Sequence, residues 1–252
     1  MKYTFFVIVL MSLSGSIVAQ NDDASSNDSK ESTSYRYTPS PDFPGALVVE
    51  YGINYFDNNS AIMDTDPWKS PTLNLYYMYA FRIGEESRLS FNIGAGVGNE
   101  KYTFKAPITF SDSLSITIIQ PIDTVPFFDN KIITTKKSQM VIDYFDIPME
   151  FRIHSRKKDH KRSFYLALGG KVGFRIAGKT KIVYSEFGTT KKFKDLYHFN
   201  VNAIRYGATA KIGYGPINFW GYLGLNDFFT GNKTEGIRNP NTFSFGLSLS
   251  TF

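Results

Sequence analysis

Cysteine is absent from the 252 residues, which removes disulfides, thiol nucleophiles and thiolate metal sites together. A lipoprotein anchor goes with them, since its acylated residue would be a cysteine. Tryptophan is scarce at two residues, and the three histidines, His154, His160 and His198, form no cluster with metal-ligand spacing. No Gly-x-Ser-x-Gly elbow marks a hydrolase, although composition alone leaves room for a nucleophile-His-acid set like that of an outer-membrane phospholipase. Gly94-Ala95-Gly96-Val97-Gly98 has the look of a nucleotide loop, but no helix pattern follows, so these glycines read as strand packing. No apolar run reaches the ~18 residues that a membrane-spanning helix requires. The expectation is a protein with no enzyme activity, no cofactor and no metal.

What is present begins with a leader. Lys2 supplies a positive start, Phe5 to Leu13 a short apolar core, and Ile17-Val18-Ala19 a small-residue cleavage site, so residues 1–19 read as a secretion signal. Residues 20–44 are rich in Ser, Asp and Asn, close on three prolines, and hold too little apolar surface to fold alone. They read as a disordered periplasmic tail. The net charge of +5 is unevenly placed. Lys2 leaves with the signal and residues 20–44 carry five acidic against two basic groups, which leaves a surplus of seven positive charges on residues 45–252. A basic body suggests nucleic acid, but an exported chain rarely meets any and these charges form no helical stripe, so nucleic acid is not expected.

From residue 45 onward the chain repeats a single pattern of apolar/polar alternation interrupted by turns, the signature of strands. Leu47, Val49, Tyr51, Ile53 and Tyr55 share one face of a first strand; Leu73 to Ile83, Leu89 to Val97 and Val141 to Ile153 follow at the same period. Phe164 to Ile176, Ile204 to Tyr214, a stretch of mixed phase over 216–228, and Phe243 to Leu249 complete eight. The connections alternate between long and short: about fifteen residues, then Gly84 to Ser87; some forty, then Ser155 to Arg162; about twenty, then Gly215-Pro216. That rhythm is the one membrane barrels show, with long loops outside the cell and tight turns in the periplasm. The fold class expected is therefore all-β, an eight-stranded antiparallel transmembrane barrel over residues 45–252 in the outer membrane, with both termini periplasmic.

Alternation leaves open which face is outside, and a soluble lipocalin-type barrel would point the apolar side chains inward. The second phase argues for the membrane. It reads Ser90, Asn92, Gly94, Gly96, Gly98 in the third strand and Thr242, Ser244, Gly246, Ser248, Ser250 in the eighth, too small and uncharged for a water-facing surface. Small residues suit the interior of an eight-stranded barrel, which side chains just fill. A slightly negative mean hydropathy of -0.22 is ordinary where only alternate residues meet lipid.

The stretch 142–178, IDYFDIPMEFRIHSRKKDHKRSFYLALGGKVGFRIAG, carries an Ile-Pro-acidic strand, a basic turn and a Gly-rich strand, and resembles the PorT-like outer-membrane β-barrel proteins of Bacteroidetes-type bacteria. Residues 204–228 and the terminal NPNTFSFGLSLSTF resemble the last three strands of that family. The resemblance implies a barrel with no assigned activity, in a group that includes an accessory factor of protein secretion. One departure stands out: Phe243, Phe245, Leu247 and Leu249 are out of phase with the final Phe252, and a bulge at Ser250-Thr251 would restore it.

Inward-phase charges are the main candidate constellation: Glu50, Arg82, Glu150, Arg152, Lys171, Arg175 and Lys211. They could line a narrow anion-selective channel or pair with one another as an ionic plug. The narrow interior and the cost of an unpaired buried charge favour the plug. Beyond outer-membrane lipids and the barrel-insertion machinery, a protein partner would touch the long connection 99–139, since loops carry binding more often than scaffolds do. The turn 155–162, with five basic residues, could hold anionic headgroups or a periplasmic partner, or be merely a solvated turn.

Overall fold

A strand whose side chains face lipid cannot leave its backbone N–H and C=O groups unpaired, so a spanning sheet has to close on itself. In the computed structural model of the chain, it does. The structure describes residues 45–251 apart from 58–59, 85–86, 114–115, 123–132, 157–162, 197–198, 231–233 and 236–237. The leader, the tail, His160, His198, most of the basic turn and Phe252 thus lie outside the described residues.

The strands are β1 (Gly45–Asp57), β2 (Pro71–Arg82), β3 (Leu89–Phe104), β4 (Ile108–Ser113), β5 (Ile116–Pro121) and β6 (Ile133–His154). They continue with β7 (Phe164–Glu186), β8 (Thr189–Asp195), β9 (Ile204–Tyr214), β10 (Ile217–Gly224), β11 (Thr234–Glu235) and β12 (Asn241–Ser250). Eight of them form an antiparallel ring in the order β1-β2-β3-β6-β7-β9-β10-β12, and β12 pairs back onto β1 from Val48↔Ser250 to Asp57↔Asn241. No edge remains in the ring. The other four decorate one end: β8 extends the β7 hairpin, and β4, β5 and β11 make a separate three-stranded sheet.

The apolar phase faces out, as expected. Phe219 is 66% exposed and Phe164 65%, whereas the alternate residues Tyr76 and Tyr222 are 1% exposed. Phe81, Phe91 and Phe151 stack round the outside near the short turns, with centroids 6.4 and 4.9 Å apart, and Phe164 meets Tyr214 at 4.8 Å. Such aromatic girdles mark a barrel's membrane boundary. The mixed phase over 216–228 has a simple origin. In β10 the outward residues Ile217, Phe219 and Leu223 alternate with Trp220 and Tyr222, which are large but buried inside.

Two expectations need correction. The connection read as 99–139 is mostly strand, because β3 and β6 stay paired through Phe104↔Ser138, leaving 105–132 as the connection proper. β7 likewise runs to Glu186 and not to Ile176. A register shift at Asp143/Tyr144 makes Ile176 an extra residue, so the inward phase changes from odd to even beyond it; the strand continues where the apolar alternation breaks. The pairing of β12 with β1 keeps one register as far as Ser250, and Phe252, whose phase the suggested Ser250-Thr251 bulge would restore, lies outside the described residues.

At the long-loop end the strands rise past the lipid-facing belt and enclose an apolar core. Phe56, Tyr102, Phe104, Phe110, Phe199, Phe228 and Phe229 pack there with Met63, Ile142 and Tyr144, and β4 and β5 contribute Ile108 and Ile119. Phe56 stacks on Tyr102 at 4.3 Å, and Phe228 stands edge-on to Phe56 at 4.7 Å. These residues form a hydrophobic cap at this end.

The faces are testable with the two native tryptophans, since Trp220 is buried in the lumen and Trp68 is 85% exposed in the loop before β2. In a Trp68→Phe/Trp220→Phe background, Leu75→Trp or Phe164→Trp is expected to be quenched strongly by brominated lipid, while Trp220 in the Trp68→Phe protein is not. Equal quenching at the three sites would put the apolar face elsewhere.

Candidate functional site

Each barrel strand sends every second side chain into the lumen, so strand phase alone decides which charges meet. Among the described residues, eight Asp, Glu, Lys and Arg residues are buried: Glu50, Glu100, Asp146, Glu150, Arg152, Lys171, Arg205 and Lys211. Four are acidic and four basic, and all are paired.

They form two clusters stacked along the axis. In the cluster toward the short turns, Lys211 on β9 reaches Glu50 on β1 at 2.8 Å and Glu150 on β6 at 3.1 Å. Arg152 also engages Glu150, Asn74 Nδ2 donates to Glu50 at 3.0 Å, and Arg152 lies 5.0 Å over the Tyr165 ring. In the cluster toward the cap, Arg205 on β9 binds Asp146 through Nη2 at 2.8 and 3.0 Å and pairs with Glu100 through Nη1. Lys171 lies 3.7 Å from Asp146, the Tyr76 hydroxyl donates to Asp146 at 2.9 Å, and the Tyr102 hydroxyl donates to Glu100 at 2.8 Å. The Arg205 guanidinium stacks 3.8 Å over Tyr144, and Lys171 sits 4.3 Å from the centroid of Tyr222.

These side chains need space, and small residues on neighbouring strands provide it. A Cβ at Gly98 would lie 2.7 Å from Asp146 Oδ2 and 3.1 Å from Arg205 Nη2, so any larger residue there would displace the ion pair. Gly96 makes the same allowance for the Tyr76 ring, at 2.8 Å. Between the clusters lies a cavity of about 10 Å³ bounded by Glu50, Tyr76, Glu150, Lys171, Lys211 and Tyr222, the room of a single water. A larger cavity of about 360 Å³ lies at the long-loop end, lined by Phe104, Lys105, Pro107, Ile122, Lys136 and Lys137 among others.

Of the residues singled out by phase, the structure brings Glu50, Glu150, Arg152, Lys171 and Lys211 together. Arg82 shares their phase but is exposed, because β2 runs past the end of the packed interior and Ala80 before it is exposed too. Arg175 sits next to the β7 irregularity, half-buried, and donates to the Val201 carbonyl. Glu100, Asp146 and Arg205 were not singled out. Arg205 has the same inward phase as Lys211, six residues on; Asp146 has that of Glu150; Glu100 follows Gly96 and Gly98 in the part of β3 that reads as loop. His154 lies at the short-turn end with its ring nitrogens near two hydroxyls, Ser90 Oγ at 3.4 Å and Ser163 Oγ at 3.1 Å.

A closed antiparallel ring with lipid-facing side chains outside and a compensated polar interior defines a transmembrane β-barrel. The sequence agrees over residues 45–230: the chain belongs to the family described as Outer membrane protein beta-barrel domain and is an outer-membrane β-barrel protein. Similar solved structures include the attachment invasion locus protein Ail of Yersinia pestis, at 12% identity and a TM-score of 0.31, covering 82% of this chain and 97% of that one. The same protein in complex with the heparin analogue sucrose octasulfate matches at 10% identity and a TM-score of 0.32, with the same coverage. No curated protein matches the sequence.

The pairing of Arg205 predicts a large stability effect. Arg205→Met leaves Glu100 and Asp146 facing each other without their main counter-charge, and the expected loss is about 3–5 kcal/mol. Urea titration followed by gel mobility of unheated against heated samples reads it directly, and Glu100→Gln/Asp146→Asn/Arg205→Met should recover much of the loss. A single variant as stable as the native protein would show that the carboxylates are compensated in some other way.

Proposed function

We propose that this protein is a non-enzymatic outer-membrane barrel with a closed lumen, acting as a structural or interaction protein and not as a route for solutes. The observation that carries this reading is the compensated interior: four cations meet four carboxylates, and the gap between the clusters is about 10 Å³. A hydrated ion needs a continuous wet path, and here Trp220, Tyr222 and Tyr76 fill the section that the glycines leave wide. The apolar cap adds a second closure at the long-loop end.

Function then resides at the ends. On this reading the long loops face the cell exterior, the termini and short turns are periplasmic, and residues 1–19 are removed on export. The cap sheet and the 360 Å³ cavity beside Lys105, Lys136 and Lys137 are the surfaces where a protein partner would engage. The resemblance of 142–178 and 204–228 to PorT-like barrels supports a place in that Bacteroidetes-type group and a role accessory to secretion or envelope assembly.

In planar bilayers the purified protein is expected to give no unitary current steps. Steady steps of uniform size would overturn the closed lumen in favour of a narrow channel. Sidedness is read separately, using the lack of native cysteine. Thr189→Cys, at the β7–β8 tip, should react with an impermeant maleimide on intact cells, and Ser87→Cys, in a short turn, only after permeabilisation. The opposite pattern would reverse the orientation.

A further inference from the structure

Lysines on the outer wall of the barrel are concentrated in one place. Residues directly opposite each other on neighbouring strands point to the same face, so the wall is readable rung by rung across β3, β6, β7 and β8. Val97, Phe145 and Phe174 form the last large apolar rung. Asn99, Asp143 and Ala177 come next. Above them, Lys101 and Lys179 share one rung, Lys181 and Lys194 the second, and Lys137 and Lys192 the third. The alternate residues Glu100, Ile142 and Ile182 are buried inside, which confirms that the lysines point outward.

Carboxylates do not match them. Asp143 lies 3.8 Å from Lys179 and is the one acidic residue that the described strand rungs put on this face; Asp66, in the turn beside Thr103, is held by Lys69, Asp195 pairs with the inward Thr180, and Glu186 is held by Lys191 at 2.6 Å. Lys101, Lys137, Lys181, Lys192 and Lys194 have no carboxylate partner among the described residues. Lys181 and Lys194 stand directly opposite each other, a like-charge pair that costs stability when nothing anionic lies between them. Two long-loop lysines off these rungs are neutralised within the chain: Lys69 by Asp66 and Lys105 by Asp64, each at 2.7 Å. The hydrogen bond from Lys69 lowers the Asp66 carboxyl, and that to Asp64 raises Lys105.

Height gives the chemistry of the occupant. At ~3.4 Å per residue and ~45° of tilt, Lys101 stands roughly 10 Å above Val97, and the uppermost lysine pair roughly 10 Å higher. Phospholipid headgroups occupy only about 5–8 Å on each side of the hydrocarbon. A taller headgroup bearing sugars and more than one phosphate spans the lysine rungs. Trp68, 85% exposed, flanks them: Ser70 Oγ accepts from Thr103 N at 2.9 Å and the Lys69 carbonyl from Thr103 Oγ1 at 2.6 Å, which places its turn on this same wall. Tryptophan favours this interfacial depth.

We infer that the lysine-faced wall of β3, β6, β7 and β8 binds the phosphorylated headgroups of outer-leaflet glycolipid. The assignment of leaflet rests on the sidedness proposed above; the binding chemistry does not. The test is lipid retention by the full-length protein after detergent extraction from phosphatidylcholine vesicles, counted by mass spectrometry. The vesicles carry bis-phosphorylated lipid A, dephosphorylated lipid A or phosphatidylglycerol. The native protein should retain the first about tenfold better than either of the others. Lys101→Gln/Lys181→Gln/Lys194→Gln should lower that retention by about tenfold or more, since one lysine near an anionic surface contributes roughly a factor of five. Lys192→Glu/Lys194→Glu, confined to the exposed β8, should act in the same direction without altering a ring strand, and Lys69→Gln/Lys105→Gln should retain lipid as the native protein does. Unchanged retention in both lysine-wall variants, or equal retention of the dephosphorylated lipid or of phosphatidylglycerol, would overturn the inference. Vesicle retention is blind to cellular orientation, which the maleimide labelling reads on its own.

Discussion

The buried contact between Arg205 and the two carboxylates Asp146 and Glu100 is the constraint around which the rest of the interior is arranged. It joins β9 to β6 and β3 across the lumen, so three strands distant in sequence depend on one guanidinium. A charge in that position is tolerable only if its counter-charges and hydrogen bonds are complete. The lumen supplies them: tyrosine hydroxyls from β2 and β3 satisfy the carboxylates, and the rings of Tyr144 and Tyr222 cover the cation. The second cluster repeats the arrangement with Lys211 between Glu50 and Glu150.

Space and charge are solved together. A ring of eight strands has little interior, and a strand in it cannot carry tyrosine, tryptophan or arginine inward unless the strand beside it is nearly bare. That is the physical content of the glycine and serine phases of β3 and β12. They are the room taken by Tyr76, Trp220 and Arg205, and not evidence of an open pore. The same fit leaves the outside and the long-loop end as the surfaces through which the protein meets other molecules.

Much of this was legible in the chain. Period-two alternation located seven of the eight ring strands, and the long-short rhythm of the connections placed the remaining one, β10, in the mixed-phase stretch 216–228. The inward charges Glu50, Glu150, Arg152, Lys171 and Lys211 followed from phase. Where reading failed, it failed at places that break periodicity. Beyond Ile176 the β7 irregularity inverts the phase, and the outward residues become lysine; both changes make a strand look like a loop. Glu100 was lost with the upper part of β3 for the same reason. Arg82 was over-read, because phase shows direction but not whether the barrel is still packed at that height.

Sequence by itself determined the strands, their order and their greasy outer face, because each is set by local alternation and turn chemistry. It also determined that charges of both signs would share the interior. Only the tertiary structure decided which charges meet, since a partner across the lumen depends on the stagger of strands that are not neighbours. It alone decided that the long connections hold paired strands and an apolar cap, and that lysines from four strands converge on one outer wall. Those are properties of register, which local pattern does not encode.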